Sequence, residues 1–392
     1  MSKKLYWESP YATSFEGKII EKREDGIVLD QTLFYPQGGG QECDIGFFEV
    51  EEKEIEIQKV TSQIDKIIHQ IPIETLPDLK VGQNIIGKIN WKHRYALMKA
   101  HTAQHLISAI LQNNYGIETE NAYIEPNKVI LHLKKKISYQ QLTKTFIQAN
   151  NYSTLKNLQL NSVITTRDKV KKDFPQLRGD IPNVEKVRIT QIEDLDIICC
   201  GGTHLKNTTE IGPIFLYEIK TQNELKFRVG KKAINRIVNL NIDALDISNQ
   251  INIKLNQIKK KIQTVAEEKT SLSQENEELK LKLLNHIFKS PVFRFGKIKI
   301  FCLDFSVDYK LIQKKIDNLP EDSILIAFFE NKKVRIVSKV PEASANELVQ
   351  LILSKFKGKG GGSHFNAQAY IPKVPKKFKK SVINIIKNKV SQ

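Results

Sequence analysis

Two short stretches carry residues that could do chemistry. His101-Thr-Ala-Gln-His105 sets two imidazoles four residues apart, and Cys200-Gly-Gly-Thr-His204, about a hundred residues later, adds a thiol and a third imidazole at the same spacing. On a helix, residues four apart lie on one face, one turn above the other, so both histidines of the first stretch can reach one ion. Gly201 and Gly202 are poor helix formers and put the second stretch on a turn. Three nitrogens and one sulfur suit Zn²⁺ in tetrahedral array. In a chain with only eight histidines and four cysteines, the two halves together point to a metal site. Cys199 is a rival thiolate. No glutamate separates the histidines, so the general base of the HExxH proteases is lacking. Asp196 and Glu210 are nearby carboxylates, and solvated side chains are the simpler reading of both.

These stretches need elements to bring them together, and 392 residues suffice for two to four domains. Residues 1–91 read as short strands and tight turns, a small antiparallel β-barrel or sandwich. Within them, residues 32–41 read Thr-Leu-Phe-Tyr-Pro-Gln-Gly-Gly-Gly-Gln, followed by Asp44 and Gly46. The glycine triplet lets backbone approach a ligand or another chain segment closely. Residues 92–233 read as an α+β core. A helix over 92–114 carries both histidines and stops at Gly116, Ser138 and Gln141 form a capping box before a second helix, and four further strands follow. Residues 234–287 contain neither Gly nor Pro, and Ile251, Leu255, Ile258, Ile262, Val265, Leu272, Leu279 and Leu283 follow steps of four and three, with Lys269 and Asn276 replacing two expected apolar positions. That pattern predicts one long helix or coiled coil. Residues 288–392 read as a C-terminal α/β domain in which 358–369 form a glycine-rich loop able to present N–H groups to phosphates. The chain is thus expected to be an α+β multidomain protein.

Composition narrows the partners. The formal charge is +17 and the pI about 9.4, which predicts a polyanion, with nucleic acid the leading class. Residues 371–392 hold seven lysines and no acidic residue, and they offer either phosphate contacts or a solvated helix face. No run approaches the ~18 apolar residues of a membrane-spanning helix, and the first residues lack the apolar centre of a signal peptide. Four cysteines, two adjacent, do not make a disulfide framework, so a reducing cytoplasmic setting without membrane attachment is expected.

HTAQH followed by CGGTH resembles the editing domain of alanyl-tRNA synthetase and its free-standing AlaX relatives. Phe34 to Gln41, Glu210-Ile211-Gly212 and Phe227-Arg228-Val229 fit the same family in the same order. The long helix and glycine-rich end resemble the synthetase's tail, a DHH-associated domain. Coverage is nearly the whole chain, so the long form of AlaX is the nearest description. The resemblance implies zinc on His101, His105, Cys200 and His204, with the metal activating water, orienting substrate or serving structure. It implies hydrolysis of the ester on mischarged alanine tRNA, chiefly Ser-tRNA(Ala) and also Gly-tRNA(Ala). A pocket built for alanine cannot strongly reject one extra hydroxyl, whereas a second site can require it. Thr32 matches the threonine proposed to contact that hydroxyl, and Gln41 a glutamine lining the same pocket. No aminoacylation domain precedes the barrel and no Asp-His-His motif occurs, so a trans-acting editor without ligase activity is expected. Ala369 and Tyr370 replace the tail's closing glycines, a departure from the family pattern. The helix seam and tail suggest a homodimer. The competing expectation is a zinc-stabilised tRNA-binding module without hydrolase activity.

Overall fold

The computed structural model describes residues 2–51, 53–63, 66–304, 312–313, 316, 318–329 and 332–392. They form two compact units, Met1–Asn252 and Ile253–Gln392.

The first unit opens with seven antiparallel strands in the order Lys53–Ile57, Gly46–Val50, Asn84–Ile89, Ser14–Lys22, Gly26–Leu29, Lys66–Gln70, Lys59–Gln63. Ser14–Lys22 shows why the sheet curls. Its first half pairs with Asn84–Ile89 and its second with Gly26–Leu29, and its register shifts between Ile19 and Glu21. Such a bulge bends and twists a strand. Alternate residues then point inward to a single apolar cluster that includes Ile19, Leu29, Phe34, Phe48, Ile57 and Ile67. Among the described residues no ladder joins the two outer strands, so the pairing is that of an open curled sheet rather than the closed barrel expected.

The histidine helix, Trp91–Tyr115, follows directly. The Asn90 side chain accepts from the His93 N–H at 3.1 Å, and Gly116 ends the helix at φ 61°. A helix with one apolar stripe lies on a surface, but this one is buried on every side from Ala100 to Leu111. It packs on helix Tyr139–Thr154, on Asp196–Cys199 and on a four-stranded antiparallel sheet ordered Thr119–Glu125, Lys128–Leu133, Glu224–Val229, Ile214–Lys220. The capping box of Ser138 and Gln141 is present. Three further strands, Leu160–Thr166, Lys186–Ile192 and Asp196–Cys199, form a separate antiparallel sheet that leads the chain into Cys200.

The single helix expected over 234–287 is two. Lys231–Gln250 and Ile258–Ile287 are separated by a turn in which Asn252 adopts φ 50°, followed by a 3₁₀ turn at Leu255–Gln257. Asparagine is among the few residues that tolerate this left-handed conformation, which ends an α-helix. The division between the units falls at the same place. Leu255, Ile262, Val265, Leu272, Leu279 and Leu283 are exposed, so the seam forms no coiled coil within the described chain.

In the second unit, a six-stranded mixed sheet runs Phe293–Phe295, Ile298–Leu303, Ser323–Phe328, Lys333–Ser338, Asn366–Tyr370, Lys359–Gly362. The expected glycine-rich loop is therefore a hairpin, its first strand on the sheet edge. A Cβ on Gly360 or Gly362 would come within 2.3 Å of the partner strand's carbonyls, so the close pairing needs glycine there. The lysine-rich end forms helix Phe378–Val390, which buries Phe378, Val382, Ile386 and Val390. No described helix is long and apolar enough to cross a membrane.

Candidate metal centre

His101 and His105 lie one turn apart on the buried helix, and Cys200 and His204 lie on the irregular segment after strand Asp196–Cys199. One ligand atom from each of the four falls within 4.8 Å of all the others. His105 Nε2 is 3.1 Å from His101 Nε2, and Cys200 Sγ is 3.1 Å from His204 Nε2 and 3.5 Å from His101 Nε2. A tetrahedron of zinc bonds to nitrogen and sulfur has edges of roughly 3.3–3.7 Å. Four groups able to donate a lone pair converge in one largely buried place, an arrangement that a shared cation would satisfy. The residues therefore fit a metal ion. Cys199 is not in the cluster.

Surrounding groups fix the ligands. Gln41 Oε1 accepts from the Thr203 N–H at 3.2 Å, which sets the amide's orientation, and lies 2.6 Å from His101 Nδ1. His101 must then donate from Nδ1, which leaves Nε2 free for metal. Gln41 Nε2 donates to Thr203 Oγ1 at 3.0 Å, so the whole amide is engaged. Asp196 Oδ2 is 3.7 Å from His105 Nδ1, and both its oxygens take hydrogen bonds from Arg178 at 2.7 Å. Asp196 is thus an ion-paired support behind a ligand, not a solvated carboxylate. Glu210 accepts from the hydroxyls of Tyr11 and Tyr95 and from the Asn207 N–H. It too is a structural anchor. His204 Nδ1 is buried without a hydrogen-bond partner.

Burial disfavours charge on all four ligands. It pushes His204 down to about 3 and lowers His101. Burial opposes the Cys200 thiolate as well, yet His101, His204 and His105 hold this thiol well below the usual range, in the form that binds metal. Desolvation also works against a proton on His105, but Cys200 and Asp196 outweigh it and raise the group to about 9.

The glycine-rich segment reaches the metal ligands by close approach. Gly40 has φ 82°, and a Cβ there would lie 2.0 Å from the Ala122 carbonyl oxygen. Free of it, the loop docks on strand Thr119–Glu125 through Ile124 N to Gly40 O (2.8 Å) and Glu42 N to Ile124 O (3.1 Å), which carries Gln41 into the cluster. Asp44, three residues on, pairs with Arg94 of the histidine helix, both fully buried.

Thr32 has a different setting. It is wholly buried, its Oγ1 2.9 Å from His69 Nε2 and 3.0 Å from the Phe34 N–H. His69 Nδ1 faces the Ile27 carbonyl at 3.3 Å, so Nδ1 carries the proton and Thr32 donates to Nε2. Burial pushes His69 down to about 4, which keeps it neutral. None of Thr32's hydrogen bonds is to a metal ligand.

Arg188, Arg178, Trp7 and His69 were not singled out by sequence. Arg188 sits between Val187 and Ile189 in strand Lys186–Ile192, the one hint that pattern offers; for Trp7 there is none.

A family model for class II (A) tRNA synthetases matches residues 7–93, and a model for the threonyl and alanyl tRNA synthetase second additional domain matches residues 187–229. The first span contains Thr32 and Gln41, the second Cys200 and His204. The alanyl-tRNA editing protein AlaX-L of Pyrococcus horikoshii is 27% identical over 402 residues, which cover 96% of both chains. An alanine–tRNA ligase of Saccharolobus islandicus is 28% identical over 98% of this chain and 44% of the ligase, and one of Methanococcus maripaludis 27% over 93% and 41%. The chain thus spans less than half the length of those ligases. Among solved structures, the C-Ala domain of Aquifex aeolicus alanyl-tRNA synthetase covers 26% of this chain at 20% identity with a TM-score of 0.22.

Proposed function

The chain is a relative, over nearly its whole length, of an alanyl-tRNA editing protein, and on that footing we propose that it is a trans-editing hydrolase that cleaves the aminoacyl ester of mischarged alanine tRNA in the cytoplasm. The observation that carries this is the buried three-histidine, one-cysteine cluster with Gln41 of the glycine-rich segment bonded to one of its ligands.

His101, His105, Cys200 and His204 would hold zinc, which when bound supplies a positive charge able to orient and polarise an ester or its attacking water. Gln41 keeps His101 in the tautomer that presents Nε2, and Asp196, held by Arg178, places negative charge 3.7 Å from His105 Nδ1, which favours a proton there. An aminoacyl ester is already labile, so a modest catalyst suffices. We assign the serine test to Thr32. That assignment rests on the resemblance: in the structure the Thr32 hydroxyl is wholly buried, gives its one proton to His69 and accepts from the Phe34 N–H. A site that hydrogen-bonds the seryl hydroxyl would favour serine over alanine and glycine.

The test is a panel of aminoacyl-tRNAs with the purified chain. Seryl-tRNA(Ala) is expected to be deacylated much faster than alanyl-tRNA(Ala), and Cys200→Ala to lower zinc content and activity together. Equal rates on the two esters would remove the specificity claim. One observation favours a second reading: four protein ligands complete a tetrahedral shell, as structural zinc sites do. A tRNA-binding module with structural zinc would bind the RNA but leave seryl-tRNA(Ala) intact in a single turnover at saturating protein.

A further inference from the structure

Residues Cys200, Gly201 and Gly202 form an irregular segment in which two glycines leave the backbone free, yet Cys200 is its first residue and His204 follows two residues past its end. Each of its three successive carbonyls is held by a distant side chain. Arg188 Nη1 donates to Gly202 O at 2.8 Å and to Cys200 O at 3.4 Å. Trp7 Nε1 donates to Gly201 O at 2.8 Å across 194 residues of chain. The Cys200 N–H completes the set by donating to Arg188 O at 2.9 Å. A surface loop ordinarily leaves such carbonyls to water.

Both side chains are themselves fixed. Trp7 lies on the short helix Leu5–Glu8, with Lys4 Nζ 4.5 Å from its ring centroid and Tyr6 edge-on at 6.3 Å. Its indole is in ordinary contact range of the space a Gly201 Cβ would take, at 3.6 Å. Arg188 is 4% exposed, and its Nε is buried without a partner. A guanidinium kept in such a place is costly, since it is not fully hydrogen-bonded and its hydrogen bonds go to neutral oxygens. Its position one bond network away from Cys200 gives it a use that a neutral residue could not serve: it holds the backbone while adding positive charge beside the thiolate.

We propose that Trp7 and Arg188 are positioning residues of the metal centre, which clamp the Cys200–Gly202 carbonyls so that Cys200 and His204 are presented to the ion already in place. This rests on the metal-site reading above. Supporting groups of this kind typically change metal affinity by 10–100-fold.

The test uses full-length protein loaded with Zn²⁺ or Co²⁺. Trp7→Phe keeps an aromatic side chain but loses the N–H donor together with the pyrrole half of the indole. Arg188→Lys keeps the charge and loses the fork. Both are expected to release Zn²⁺ to a chromophoric chelator roughly 10-fold faster or more, to change the visible Co²⁺ spectrum, and to lower kcat on seryl-tRNA(Ala) more than they raise KM. A merely structural contribution would shift thermal stability and leave the Co²⁺ spectrum as it was. Wild-type release rates and an unchanged spectrum in Trp7→Phe would overturn the clamp, even if Arg188→Lys fails to fold. If instead the wild-type chain binds neither ion, or Cys200→Ala binds it equally well, the metal-site reading itself fails and takes the clamp with it.

Discussion

Gly202 is the position where the metal centre is least tolerant of change. A Cβ there would lie 2.2 Å from His101 Cε1 and 2.9 Å from Gln41 Oε1, so a ligand and its support would both have to move. At Gly201 the nearest atom to a Cβ is 3.6 Å away, an ordinary contact. Gly202→Ala is therefore expected to lose most bound metal and Gly201→Ala to keep it, as read by metal analysis of the two purified variants. Thr32 and His69 give a second prediction, on acid stability. His69 is held at about 4 by burial, against ~6.5 in the unfolded chain. Between those values the unfolded state binds the extra proton and the folded state does not, so stability rises with pH across this window. The contribution is complete above pH ~6.5 and lost by about pH 4, and it amounts to on the order of 3 kcal/mol. His69→Gln can still accept from Thr32 but does not titrate. Its unfolding free energy, from urea titration, should fall less between about pH 7 and pH 5 than that of the wild type, by a difference of about 2 kcal/mol. The four residues that the fold brings together were legible in sequence because their chemistry and their spacing coincide. Trp7 and Arg188 were not, because a lone donor gains a role only from the carbonyls that folding places before it.

The histidine helix owes its length to two end signals that do not touch the metal. Asn90→Ala removes the cap on the His93 N–H and should lower stability by about 1 kcal/mol. Gly116→Ala meets no steric neighbour within 4 Å, so its cost, again about 1 kcal/mol, comes from the left-handed backbone alone. Chemical denaturation measures both, and metal content should stay at the wild-type level; a loss of metal would show that the helix ends do more than hold the helix. The Gly116 stop was readable in sequence, as was the capping box at Ser138, because each is a local signal; the Asn90 cap was not singled out. The break at Asn252 was not readable. The four-and-three alternation runs through it, and a seam pattern says nothing about a residue that leaves the helix at one φ angle. The glycine-rich hairpin was hidden for the opposite reason. Glycine has little strand preference of its own, and pairing is imposed by Asn366–Tyr370 on the neighbouring strand.

The two units differ in charge as much as in content. Residues 253–392 hold 28 Lys and Arg against 13 Asp and Glu, a net +15, while residues 1–252 hold 33 against 31, a net +2. The metal cluster lies wholly in the near-neutral unit. On the proposed function, attraction for a polyanion and ester chemistry would fall to different parts of the chain, and salt should separate them. Binding of tRNA releases counterions in proportion to the phosphates neutralised, so its affinity falls steeply with salt, whereas attack on a small ester has no such term. Raising salt from about 50 to 200 mM is expected to raise KM for seryl-tRNA(Ala) by tenfold or more while leaving hydrolysis of an uncharged seryl ester of adenosine almost unchanged. Within the basic unit, Lys333 and Lys359 line a cavity of ≈ 300 Å³ with Gly360, Gly361, Gln368 and Tyr370, a place where phosphate can meet both cations and backbone. Replacing both lysines by alanine should weaken tRNA binding whatever its sequence and reduce the slope of log affinity against log salt by roughly 1–2, as each lost phosphate contact removes about one counterion. An unchanged slope in that double variant would move the phosphate contacts to other lysines of the unit, such as those on helix Phe378–Val390. Salt-insensitive KM in the wild type would count against the basic unit as the tRNA holder altogether.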